Sequence, residues 1–120
     1  MAAEREALQL IADEFVKTLP GRMIQVRDDW EELNRIAAPE NSELPPLLHD
    51  FYHQVHNMTG SSGTFGFTQL SQIGRQILNI LEPALKAQTP LTREMIQTVG
   101  PILAEMEVEA RAPVQIEGWL

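Results

Sequence analysis

Three histidines, His49, His53 and His56, stand at i, i+4 and i+7. On a helix that spacing lines them along one stripe, within reach of a shared divalent ion. One helix supplies ligands from one side only, and no cysteine or evident ligand on a second segment completes a shell. His56 differs from the other two in the run directly after it, Asn57-Met58-Thr59-Gly60-Ser61-Ser62-Gly63-Thr64-Phe65-Gly66-Phe67. With Val55 at the centre of a buried helical face, Leu48, Phe51, Tyr52, Met58 and Ser62 fall within roughly 60° of it, and His56 falls at the edge. Gly60 comes one turn after His56 and Gly63 two turns after. A glycine inside a helix costs roughly 1 kcal/mol relative to alanine, so two of them beside a histidine require a reason. The simplest is a surface cleared so that another molecule can reach the imidazole. Ser61 and Ser62 have no visible partner base, and small residues at a helix end suffice to explain them.

The elements that must position this run are all helical in period. Leu8, Ile11, Phe15 and Leu19, with Ala12 and Val16, predict a first helix over 4–19. Pro20-Gly21 punctuates it, and Met23, Val26, Trp30, Leu33 and Ile36 predict a second over 22–37, with Trp30 as a core anchor. Residues 38–46 form a loop of breakers and caps, Ser42 being the expected N-cap of a third helix from Glu43 into Ser61-Ser62-Gly63. The Gly63-Thr64-Phe65-Gly66 turn leads to a fourth helix, 67–87, with Leu70, Ile73, Ile77, Leu81 and Ala84 on its buried side and a kink or early end expected at Pro83. Thr92 opens a fifth, 92–110, with Met95, Val99, Ile102 and Met106 inward and a bend expected at Gly100-Pro101. No strand alternation or repeat interrupts the series. The expectation is an all-α domain over 1–111, an antiparallel four-helix bundle with an additional N-terminal helix, and then a tail or linker stump over 112–120.

Composition narrows the function. At 120 residues and 43% apolar content the chain suits one domain with one core, and no apolar run approaches a membrane span. The formal charge of −8 argues against a nucleic-acid backbone as partner. The absence of cysteine removes disulfides and thiolate chemistry, and the charged Met1–Glu6 lacks the apolar run of a signal peptide, so the cytoplasm is the expected setting.

His56-x-x-x-Gly60-Ser61-Ser62, then Phe65-Gly66-Phe67, then Leu70, Ile73 and Ile77, resembles the histidine-containing phosphotransfer (HPt) domain family, whose pattern is roughly H-x-L-K-G-S-[SA]-x-x-[LF]-G. The likeness is good over about Leu44 to Leu85 and rests on amphipathic pattern outside it. It implies a phosphorelay intermediate of two-component systems. His56 would accept a phosphoryl group from the aspartate of a response-regulator receiver domain, or from a hybrid sensor histidine kinase, and donate it on. An imidazole nitrogen is a competent nucleophile for that step. The resemblance implies no cofactor and no metal on this chain, because the receiver brings Mg²⁺ and the acidic pocket. Thr59, Gly60 and Gly63 would support receiver docking, with Met58 and Val55 holding the helix from beneath.

The sequence departs from the family pattern at two places. Thr59 stands where the pattern has a lysine, which removes a cation near the phosphoryl group. Leu78 stands where chemotaxis-type modules carry an acidic residue facing the histidine, so autonomous kinase activity is not expected. Arg75, in one row with Ser71, Leu78 and Glu82, is the candidate replacement for the lost charge. Two alternatives stay open: an HPt-fold docking or regulatory domain without transfer, and a weak metal-binding helical module through His49, His53 and His56.

Overall fold

A computed structural model describes residues 2–36 and 45–120. They form four helices: α1 (Ala2–Ile36), α2 (Pro46–Thr64), α3 (Thr68–Ala87) and α4 (Arg93–Arg111). Each helix touches two others, α1 with α2 and α4, α2 with α3, and α3 with α4, which closes an up-and-down ring around one core. The described residues include no strand. The long dimension of 57 Å is set by α1 alone, since 35 residues at about 1.5 Å each span ~52 Å.

The two N-terminal helices expected from the sequence are one. Ala12, Phe15, Leu19, Met23, Val26, Trp30 and Leu33 form a single unbroken buried stripe that crosses Pro20-Gly21 without a change of phase. Pro20 forgoes a backbone hydrogen bond, a cost of roughly 3 kcal/mol, but Pro20 and Gly21 both face solvent while Leu19 and Met23 bury on the other side. Tertiary burial therefore outweighs the local break, and the described residues before 37 form one helix and not the two expected. The first two turns of α1 project beyond the core. Leu8 and Ile11, expected inside, are 43% and 53% exposed.

α2 starts at Pro46, whose missing N–H is harmless in a first turn, and Pro45 before it is extended (ψ 132°). The Ser42 cap and the Glu43 start expected from sequence lie outside the described residues. α3 and α4 both run through their prolines, to Ala87 past Pro83 and to Arg111 past Pro101, again with the ring on the solvent side. The expected buried face of α3 is the observed one. On α4, Val99 and Met106 are buried as expected, but Ile96, Leu103 and Ala110 complete the stripe while Met95 and Ile102 are only half-buried. α4 contacts α1 as well as α3, and this second neighbour turns its inward face by one residue. Thr92 caps α4, its Oγ1 accepting the Met95 N–H at 3.1 Å.

Polar contacts tie the ring together. Asp29 of α1, buried, accepts from Gln25 Nε2 at 3.0 Å and from Gln54 Nε2 of α2 at 2.5 Å. Arg27 pairs with Glu107, joining α1 to α4. Residues 112–120 contain no helix, yet they are anchored. The Ile116 N–H donates to Gly66 O at 2.8 Å and Gln115 Nε2 to Phe65 O at 2.8 Å. Gln9 Nε2 of α1 donates to Gln115 Oε1, and Trp119 Nε1 donates to Gln9 Oε1. This segment thus straps the α2–α3 turn to the start of α1.

Candidate functional site

α2 presents two faces. Inward, Leu48, Phe51 and Val55 are fully buried and Met58 almost so, with the Phe51 ring 5.2 Å from that of Trp30. Burying four large apolar side chains at roughly 1.5–3 kcal/mol each fixes the rotation of the helix about its axis. Outward, His49, His53, His56 and Gly60 are exposed. The rotation that buries Val55 is therefore what turns His56 to solvent.

His56 carries no hydrogen bond or ion pair among the described residues. Its imidazole has one ring neighbour, Tyr52, one turn earlier, at 6.2 Å between centroids and 20° between planes. His53 meets the same Tyr52 ring edge-on, at 6.3 Å and 82°. Past His56 the surface is open, and a Cβ built on Gly60 would meet nothing within 4 Å. His49, His53 and His56 share a stripe but do not converge, and no group of three His, Asp or Glu side chains among the described residues could hold a metal ion.

Between α2 and α3 lies a seam of small residues one turn from His56. Thr59 is 5% exposed, and its Oγ1 occupies the space that a Cβ on Gly74 of α3 would need. Only glycine at 74 lets Thr59 seat there. Ser71 Oγ donates to Thr59 O at 3.1 Å, while a Cβ on Gly63 would lie 3.2 Å from Ser71 Oγ. The hydroxyls of Thr59 and Ser62 are buried without a partner. Such groups are uncommon in well-formed cores. Thr59 thus belongs to the interhelical contact. Gly60 and Gly63 are both exposed, but a Cβ would have free space at Gly60 and would press on Ser71 at Gly63.

The row expected on α3 divides. Ser71 and Leu78 are buried, Arg75 is exposed, and Glu82 is half-buried. Glu82 lies 2.7 Å from Lys86 Nζ and raises that ammonium above its ordinary value, first through the hydrogen bond and then through its charge, with a smaller contribution from Tyr52. Arg75 makes no ion pair or hydrogen bond among the described residues, with His56 or with any other side chain. Sequence reasoning misses Gly74 and Ser71 as partners of α2. An isolated glycine inside the apolar ladder of 70–84 is the available signal for the first.

At its far end α2 closes into α3 through Phe65, Gly66 and Phe67. The Phe67 N–H donates to Ser62 O at 2.8 Å, and Gly66 takes φ +80°, a conformation that suits glycine. A Cβ on Gly66 would also collide with Trp119 Cβ, so the turn and its strap share one requirement.

Comparison with known proteins agrees with this architecture. The model of one protein family, the Hpt domain, matches residues 5–112. No curated protein and no solved structure matches the chain. Hpt domains are helical phosphotransfer modules, in general without kinase activity, that work with receiver domains and kinases. No helix among the described residues is long and apolar enough to cross a membrane. A match that takes in all four helices makes this chain a member of the Hpt domain family, whose role is histidine phosphotransfer in two-component phosphorelays.

Proposed function

We propose that His56 is the phosphoacceptor of this chain, taking a phosphoryl group from the aspartyl phosphate of a receiver domain and returning it to another. The observation that carries this is the pairing of an exposed imidazole with an open Gly60 one turn away, on a helix whose opposite face is buried. In-line transfer needs the nucleophile held within a fraction of an ångström, which the buried side of α2 supports. A ring nitrogen attacks phosphorus, the N–P bond forms as the P–O bond to the aspartate breaks, and the carboxylate leaves. The reverse step hands the group on. His56 needs no metal of its own for this, since the receiver supplies the Mg²⁺ that screens the phosphoryl charge. Gly60 lets the receiver approach, and Arg75, exposed and unpaired among the described residues, is the cation on α3 free to meet the incoming acidic surface.

A docking domain without transfer is the second reading. What favours it is Thr59: the position of the family pattern's lysine is buried in the α2–α3 seam and offers no charge. The two readings separate in one assay, incubation of the 120-residue protein with a panel of phosphorylated receivers, including those of hybrid kinases. Acid-labile phosphate that appears on the protein and is lost in His56→Gln supports transfer. Binding to receivers without any uptake supports docking.

A further inference from the structure

We infer that Tyr52 is a positioning residue for the phosphoacceptor, holding the His56 imidazole so that its ring nitrogens face the incoming phosphoryl group. The inference rests on the assignment of His56 above and deepens it. An exposed histidine on a helix normally samples several rotamers, and each unproductive one lowers the fraction of encounters that can react. His56 is exposed and makes no hydrogen bond or ion pair among the described residues, so nothing polar fixes its ring. Tyr52 does. The two rings lie 6.2 Å apart and 20° from parallel, within the roughly 4.5–7 Å range of offset stacking.

Tyr52 is itself anchored. Its ring is half-buried against the core, and His53 closes on it edge-to-face at 6.3 Å. The order runs from fixed to free: core, Tyr52, His56. The chemistry suits the arrangement, because the lone pair of an imidazole nitrogen lies in the plane of the ring. A stacked neighbour covers a face and leaves the reactive edge open. A hydrogen bond to a ring nitrogen, the other common way to fix a histidine, would occupy or polarise one of the two nitrogens instead.

The test compares the unmodified protein with Tyr52→Phe and Tyr52→Leu, with a phosphorylated receiver as donor. Tyr52→Phe keeps the stack and should transfer within about twofold of the unmodified rate. Tyr52→Leu keeps apolar filling and loses the stack, so the rate at saturating receiver should fall roughly 3- to 10-fold while the receiver KM and the melting temperature hold. Tyr52→Met repeats the comparison if leucine underfills the site and lowers the melting temperature. An NMR readout needs no transfer: the His56 ring protons should be shifted by the aromatic ring current in the unmodified protein and in Tyr52→Phe, and unshifted in Tyr52→Leu. Equal transfer rates in all proteins would overturn the inference while leaving His56 as acceptor, and so would an equal loss in Tyr52→Phe. Absence of label on His56 in the unmodified protein would overturn the acceptor assignment itself, and this inference with it.

Discussion

Gly60 and Gly74 meet Thr59 from opposite directions, one as its neighbour on α2 and the other across the seam on α3. A side chain at Gly60 would project into open space, whereas one at Gly74 would collide with Thr59 Oγ1 and lie 3.2 Å from Thr59 Cβ. The same residue type therefore does two different things a few ångströms apart. On the outer face of α2 a missing side chain leaves the surface beside His56 bare, and in the seam it lets two helices close. If His56 is the acceptor proposed above, the outer face should tolerate change in the fold and be sensitive in partner contact, and the seam should be the reverse.

The sharpest way to break this contrast is at Gly74. Gly74→Ala should destabilise the bundle by about 3 kcal/mol, because the added methyl would collide with Oγ1 and lie 3.2 Å from Cβ of Thr59, a β-branched residue with little freedom to turn away. Thr59→Ala in the same chain should restore much of the loss, so urea unfolding of the two single variants and the double variant gives a coupling energy. Additive effects would mean that the seam is looser than this geometry requires.

The strap provides a second pair of positions. Gly66→Ala meets both a positive φ and Trp119, and a loss of ~2 kcal/mol is expected. Trp119→Ala, half-buried and bonded to Gln9, should cost about 1–2 kcal/mol. Trp119→Ala removes Cγ and the ring but keeps the Cβ that the added methyl would strike, so the Gly66→Ala penalty should shrink only in part in the double variant, which thermal melts of the three proteins would detect.

Thr59→Lys sharpens the comparison at the site of the departure from the family pattern. Restoring that lysine promises a cation beside the phosphoryl group, but a position 5% exposed against Gly74 has no room for it. The stem would have to swing out to solvent, with ~1–2 kcal/mol of stability lost. Denaturation midpoints measured beside transfer rates separate the gain in charge from the loss in fit.

The smallest effect on the fold belongs to Gly60→Ala. With nothing within 4 Å, alanine should leave stability unchanged or raise it by up to about 1 kcal/mol. Phosphoryl uptake from a receiver should nevertheless fall. A destabilised Gly60→Ala protein would merge the two faces into one and end the distinction.

Much of this architecture is legible in the sequence. The stripes 23–26–30–33, 48–51–55–58 and 70–73–77–81–84 are buried as the helical period requires, and Thr92 caps α4. What the sequence conceals depends on neighbours distant along the chain. Pro20-Gly21 looks like a stop, and only the continuous burial of Leu19, Met23 and Val26 shows why α1 passes through it. The inward face of α4 is set by two helices, so one residue of rotation separates Met95 and Ile102 from the observed Ile96 and Leu103. At the site, the run from His56 to Phe67 marks the helix and the histidine, yet the family pattern alone makes Thr59 look like an outer position. It stands one turn after Val55, about 40° away around the helix, and that period already places it inside. The strap is invisible because Gln115, Ile116 and Trp119 have no period, and their partners are Gln9 and the Phe65-Gly66 turn.

The central claim, that one histidine of three accepts phosphate, is tested most directly by locating the phosphate. The unmodified protein and His49→Gln, His53→Gln and His56→Gln would each be incubated with the same phosphorylated receiver, and acid-labile label would be quantified and mapped. Full loss is expected in His56→Gln with its melting temperature unchanged, since the side chain is exposed, and nearly normal uptake in the other two. Label retained by His56→Gln, or equal losses at all three histidines, would contradict it.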